Sequence, residues 1–363
     1  RFIVLPLLKP ALANTFLIVM VQSLADFSSP FVLGGNFDVL ATQIYFYIVG
    51  AQNDYFSASV LGIILLSISL GIFWLQYHFI GRKNYVTLSG KGFEGRSTPL
   101  SFGLKITVVS IFAAWVGFNA VLYGSIFYGS VMQNWGVNHT FTLQHYIMLF
   151  GQGWKNGAIP SLLQTVLFAV IAAPFTAMSG FLLAYFFSRH RFFGQKYIEF
   201  LTLLSFAVPG TVAGVSYILA FNNVPLYLTG TGAIIVLSMV TRNMPIGLRA
   251  ALVNFKQLDP ALDEAAYSLK ASAFQTLRFI TLPLLKPALL SALVTSFVRA
   301  MTTISAIIFL VTPSTRVATS FILNRVEDGD YGLAVAYGAS LIVIMMLVIG
   351  LFGRWVGETK LGR

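Results

Sequence analysis

Asp26 and Arg299 are ionisable side chains set inside long apolar runs of this 363-residue chain. Charges at such depth are costly, so they usually face a bundle interior or an aqueous path. Gln22 lies one turn before Asp26, and Thr302, Thr303 and Ser305 lie within two turns of Arg299. These six residues can line a common route; the alternative is a structural pair between two helices. Arg242, near the middle of its run, is a further candidate, and reads first as a structural partner for a carbonyl or an acidic group. Catalysis has less to work with. The chain carries no nucleophile–base constellation and no Gly-x-x-x-x-Gly-Lys-Ser/Thr phosphate loop. His139 and His145, with Tyr146 beside them, are the nearest approach to a metal site, and two ligands alone rarely hold iron. No resident metal is expected. The absence of cysteine excludes disulfide, iron–sulfur and thiolate chemistry.

A second concentration of informative residues is Gln257–Leu289, "QLDPALDEAAYSLKASAFQTLRFITLPLLKPAL". Asp259 is placed to cap a helix with Pro260 at its first position. Leu262, Ala265, Ala266 and Leu269 then fall on one face. Ser272 and Gln275 have the capping-box spacing that restarts a second short helix. Pro283 and Pro287 are expected to end it before the next apolar run. The product is a helix–turn–helix with an apolar stripe. Such a stripe rests on lipid headgroups or plugs a groove on a cytoplasmic partner, with Glu264 offering one charge for a specific pair.

The elements that must position these groups follow from composition. The chain is 57% hydrophobic and 10% charged, with a mean hydropathy of +0.80. Soluble domains carry about 25% charged residues, so the solvent of this chain is mostly lipid. Apolar runs long enough to span a bilayer occupy roughly 12–33, 57–80, 104–130, 161–187, 198–221, 231–253, 288–311 and 332–353. The expected architecture is all-α and polytopic, with about eight transmembrane helices. Lys and Arg set its orientation. Fourteen of them fall in the loops on one side, around 82–96, 189–196, 256–286 and 354–363, against Lys155, Arg316 and Arg325 on the other. The richer side is expected to be cytoplasmic, with the C-terminus inside. The net charge of +11 is therefore read as a topology signal and not as a nucleic-acid surface. The loop 131–160 is expected to be external, with a surface helix around Leu143–Phe150.

The phrase "RFIVLPLLKPAL" at Arg1–Leu12 returns as "RFITLPLLKPAL" at Arg278–Leu289, eleven of twelve positions identical at an offset of 277. Both copies precede an outward-running helix. Copies in one orientation at that interval indicate a direct repeat of six-helix modules. The expected organisation is 1–80 as the last two helices of a first module and 81–103 as a cytoplasmic linker. A second, complete module follows over 104–354, with core helices from about 161, and a tail over 355–363. The true N-terminus is expected to lie upstream of Arg1.

"Glu264-Ala265-Ala266 … Ile280-Thr281-Leu282-Pro283" resembles the EAA loop of permease subunits in binding-protein-dependent ABC importers. The family pattern is E-A-A, three residues, G, nine residues, I-x-L-P, and the spacing matches throughout, with Lys270 in place of the usual Gly. The resemblance implies a type-1 permease fold and a loop that docks into an ATPase and transmits its closure. Asp259, Asp263, Glu264, Ala265, Ala266, Leu269, Lys270 and Pro283 would carry the coupling, and Leu5 and Pro6 would be the remnant of a first coupling loop. It also implies that the spans holding Asp26 and Arg299 border the translocation pathway. Two modules in one chain look like the fused ferric-iron permeases, and Leu24–Gly50 is similar to what those carry after their first EAA loop.

The expectation is therefore a multi-pass permease of the bacterial inner membrane that binds no cofactor and has no enzyme activity. ATP is used by a partner: two ATPase subunits, with a periplasmic or lipid-anchored substrate-binding protein, membrane lipid and no nucleic acid completing the partners. Ferric iron is the expected cargo, with thiamine, polyamine or phosphonate as rivals. An ion-gradient-driven secondary transporter is the rival class, with Asp26 its one well-placed carboxylate.

Overall fold

The computed structural model describes residues 4–50, 53–79, 101–190, 192–259 and 261–361. Its first part comprises α1 (Val4–Leu24), α2 (Ser28–Leu33), α3 (Leu40–Val49) and α4 (Tyr55–Phe79). Then come α5 (Phe102–Ser130), a hairpin of β1 (Met132–Asn134) and β2 (Asn138–Phe141), α6 (Gln144–Gly151) and α7 (Gly153–Asn156). The third group is α8 (Ala158–Arg189), α9 (Gln195–Ala207), α10 (Gly210–Phe221) and α11 (Gly232–Gln257). The chain closes with α12 (Ala261–Ser268), α13 (Ala273–Thr276), α14 (Leu282–Thr302), α15 (Ala318–Glu327) and α16 (Tyr331–Leu361).

Among the described residues, five stretches are long and apolar enough to cross a membrane: Tyr55–Gln76, Phe102–Ser130, Ala158–Arg189, Ala273–Thr302 and Tyr331–Arg354. A sixth arises if α9 and α10, bent by 107° at Val208–Pro209, count as one. The remaining two apolar runs correspond to α1 and α11, the latter carrying Arg242 and Arg249. Two further runs that read as continuous in the sequence are interrupted. The run 12–33 breaks after Leu24, where Asp26 Oδ1 accepts from the amides of Ser28 (3.0 Å) and Ser29 (3.4 Å) and so starts α2. The run 288–311 stops at Thr302, where the hydroxyls of Thr302 and Thr303 turn back onto the Arg299 carbonyl at 3.3 and 2.6 Å. Short hydroxyl side chains compete for the last helix carbonyls in this way.

At the centre, α8 packs on α11 and α14. Its buried face alternates aromatic residues (Phe168, Phe181, Tyr185) with small ones, Ala169, Ala172, Ala173, Ala177 and Ala184, and the small ones let helix backbones approach without hydrophobic driving force from water. Gly180 marks the closest approach: a Cβ there would stand 2.8 Å from the Leu248 amide nitrogen. By contrast α5 is exposed along nearly its whole length and rests on α16. The helix expected near 143–150 is α6; the hairpin before it, pairing Met132 with Phe141, carried no sequence signal.

The repeat extends beyond its written phrase. Adding 277 to the limits of α1 gives 281 and 301, against 282 and 302 for α14. The same shift places α3 at 317–326, against 318–327 for α15, and the start of α4 at 332, against 331 for α16. Packing repeats too: α1 and α3 lie on α4 as α14 and α15 lie on α16. Of the linker expected at 81–103, residues 81–100 fall outside the described residues, as do Pro260 and the last two positions of the tail. The rest of that tail is a continuation of α16.

Candidate functional site

The expected coupling loop folds as α12, a tight turn and α13. Asp259 Oδ1 accepts from the Ala261 amide at 2.9 Å, capping α12 as its residue type dictates. Asp263 Oδ2 lies 2.7 Å from Arg189 Nε at the end of α8, a charge contact off the donor axis. Of the stripe Leu262, Ala265, Ala266 and Leu269, only Ala266 is buried; Leu269 is 83% exposed. The stripe is thus not spent on this chain. Tyr267 and Phe274 extend it, also exposed. Glu264 is exposed, and among the described residues no cation pairs with it.

Lys270 takes the glycine's part itself. Its φ is +60°, the left-handed region. The Lys270 amide donates to the Tyr267 carbonyl (2.9 Å) and the Ala271 amide to the Ala266 carbonyl (3.0 Å), which is the two-bond Schellman closure of a helix. The capping box then restarts the chain: Ser272 Oγ accepts from the Gln275 amide at 3.3 Å and Gln275 Oε1 from the Ser272 amide at 2.7 Å.

Pro283 and Pro287 do not end the helix, contrary to the sequence expectation. A π turn over Leu277–Thr281 joins α13 to α14, and the Leu282 amide reaches back to Leu277. A wider turn just before Pro283 relieves the clash between its ring and the carbonyl one turn earlier. Leu5 and Pro6 lie in α1 at the positions matching Leu282 and Pro283; their side chains are outside the described residues.

All six proposed pathway residues meet at one place. A cavity of about 680 Å³ is lined by Gln22 and Asp26 from the end of α1 and by Arg299, Thr302, Thr303 and Ser305 from the end of α14. Asp26 and Thr303 are equivalent under the 277 offset, so the cavity sits where the two copies face each other. The Asp26–Arg299 ion pair does not form: among the described residues the ion pairs are Arg189–Asp263 and Arg325–Asp328. Arg242, Asn243 and Ser205 complete the lining. Arg242 Nη1 donates to the Val208 carbonyl at 3.3 Å, a carbonyl freed by the α9–α10 break. Arg242 thus makes a carbonyl contact of the kind its position suggests and also faces the cavity; Asn243 drew no reading, although two adjacent polar residues in mid-run were a signal for it.

No group of three or more His, Asp or Glu that could hold a metal occurs among the described residues. His145 Nε2 lies 3.0 Å from the Met132 carbonyl, and His139 packs against Tyr128 and Trp135, so the two serve the hairpin separately.

A family profile described as binding-protein-dependent transport system inner membrane component matches residues 176–358. A ferric transport system permease protein of Actinobacillus pleuropneumoniae is 63% identical over 359 residues, 99% of this chain and 52% of its own length. A putative ferric transport system permease protein of Haemophilus influenzae is 65% identical over 91% of this chain and 55% of its own length. The chain therefore spans about half the length of these curated relatives. A bacterial alginate ABC transporter, solved in complex with an alginate-bound periplasmic protein, matches with a TM-score of 0.56. It covers 69% of this chain and 91% of the matched chain at 17% identity, a likeness of fold alone.

Proposed function

The chain belongs to the family of binding-protein-dependent transport system inner membrane components, and from that membership we propose that it forms the membrane path of an ATP-driven importer of ferric iron. The observation that carries the cargo is the 63% identity, over 99% of this chain, to a relative named for ferric transport. The Asp259–Lys270 helix is the docking element for one of two ATPase subunits, and the first module presents its own loop to the other. Burying each outward apolar side chain of α12, its turn and α13, Leu269 and Phe274 foremost, contributes about 1.5–3 kcal/mol. In this reading the hairpin side and the C-terminus are cytoplasmic, and a substrate-binding protein delivers cargo from outside. Closure of the ATPase moves α12; the Arg189–Asp263 contact hands the motion to α8, and α8 carries α11 and α14, which line the cavity. Alternating access follows if the two copies rock about that cavity.

The test is uptake of radiolabelled ferric iron by vesicles holding the full-length permease, its ATPase and its binding protein, with and without internal ATP. Thiamine, a polyamine and a phosphonate run in parallel. Iron uptake that needs ATP and survives collapse of the proton gradient supports the reading. Uptake that follows the gradient with an inactivated ATPase points to a secondary carrier instead.

A further inference from the structure

The cavity holds more donors than the protein accepts from. Arg299 is exposed into it with no carboxylate partner among the described residues, and Arg242 spends one nitrogen on the Val208 carbonyl. Asn243 is 5% exposed and its Nδ2 has no hydrogen-bond partner. Buried donors are rarely left unpaired without reason. The lining carries two arginines against one aspartate, and Asp26 is already engaged by the amides that begin α2. The N-terminus of α10 abuts the same place without a side-chain cap. A Cβ at Gly210 would fall on the Ser305 hydroxyl and stand 3.2 Å from Arg242 Nη2. Helix N-termini and broken helices of this kind favour negative charge, and the guanidinium fork matches the edge of an oxyanion. A bare trivalent cation would enter a lining of net positive charge at low dielectric, where repulsion is strong.

We propose that this cavity receives an oxyanion group, a phosphate, sulfate or carboxylate borne by whatever crosses, so that iron passes here only in company with such an anion. The inference rests on the permease reading of the cavity and adds the charge class of the transported species. Arg299 and Asn243 Nδ2 are the groups that hold the anion, with Arg242 at the wall.

Full-length permease in lipid nanodiscs is titrated with inorganic phosphate and with sulfate, against chloride at equal ionic strength, and the thermal midpoint is followed. The expected result is a rise in midpoint specific to the oxyanions. The concentration giving half of that rise should increase about tenfold in Arg299→Gln, the loss of roughly 1.4 kcal/mol of binding. Asn243→Ala guards against a purely long-range charge effect and should weaken the same response. A midpoint that follows phosphate and sulfate no further than chloride overturns the proposal, and so does an unchanged response in Arg299→Gln. In the vesicle assay, ATP-driven iron uptake of undiminished rate in Arg299→Gln, without labelled phosphate or carboxylate entering, also overturns it while leaving the permease intact. Failure of the permease reading shows differently, as absence of ATP-driven uptake with any cargo.

Discussion

Arg189 Nε stands 2.7 Å from Asp263 Oδ2, joining the last turn of the central helix α8 to the first turn of α12. Both side chains are mostly shielded, at 15% and 19% exposure, so the contact is held more firmly than a surface pair. It is the one ion pair among the described residues that ties the loop to the bundle. Asp263→Arg should sever this tie and lower cargo moved per ATP hydrolysed at least several-fold, with membrane insertion unchanged. The exchanged pair, Arg189→Asp with Asp263→Arg, should recover part of that ratio. An unchanged ratio in the single variant removes the contact from the transmission path.

Glu264 calls for a different expectation because it faces outward and pairs with nothing among the described residues. Glu264→Lys should leave the fold and the thermal midpoint within about 0.5 kcal/mol of the parent, as for other surface changes. Transport should nevertheless uncouple from ATP hydrolysis. Full transport in that variant would remove its coupling role.

Lys270 holds φ +60°, a conformation that costs a side-chain-bearing residue about 1–2 kcal/mol. Lys270→Gly should therefore raise the stability of the hairpin by about 1 kcal/mol. Lys270→Val, whose β-branch fits the left-handed region worst, should lower it by a comparable amount. Protease sensitivity between Ser268 and Ser272 reports both. A hairpin loosened by glycine contradicts the conformational account.

The hairpin was legible because its residues act locally. Asp259, Ser272 and Gln275 make in the structure the bonds that their spacing predicts. That six polar residues would gather at one cavity was legible because polar groups in apolar runs are rare. What the sequence hid depends on partners that hydropathy does not weigh. The breaks after Leu24 and Thr302 come from single side-chain bonds by Asp26, Thr302 and Thr303, inside runs that read as unbroken. The prolines misled because a π turn absorbs Pro283. Asn243 showed in the sequence only as the polar neighbour of Arg242; its unpartnered nitrogen emerges from the packing alone.

Gly180 tests the core. With the Leu248 amide nitrogen 2.8 Å from where its Cβ would stand, Gly180→Ala should force α8 and α11 apart. The loss should be about 1–3 kcal/mol, the usual cost of overpacking. Gly117→Ala on α5, with no heavy atom within 4 Å of its added Cβ, is the control. It should be neutral or stabilise by up to about 1 kcal/mol through helix propensity. Equal midpoints for the two variants would place the close approach elsewhere.

Glu327 of α15 and Tyr45 of the equivalent helix α3 lie close enough to influence each other's titration. Glu327 closes α15, outside the apolar spans, and its pKa is raised above the ordinary 4.5 by burial and by Asp328, with the Tyr45 bond pulling the other way. A carboxyl with a raised folded pKa favours the protonated form. Its contribution to stability is present in full below the unfolded value and is lost as pH rises through the folded one. Stability of the fold should accordingly fall as pH climbs out of the acid range above 4.5, because burial and Asp328 outweigh the Tyr45 interaction. Glu327→Gln, a permanent mimic of the protonated group, should flatten that dependence and match or exceed the parent at neutral pH. Thermal midpoints taken across pH 4 to 8 for both proteins decide the matter. A parent whose midpoint rises with pH while the variant's stays level would mean that the charged form is the one the site prefers.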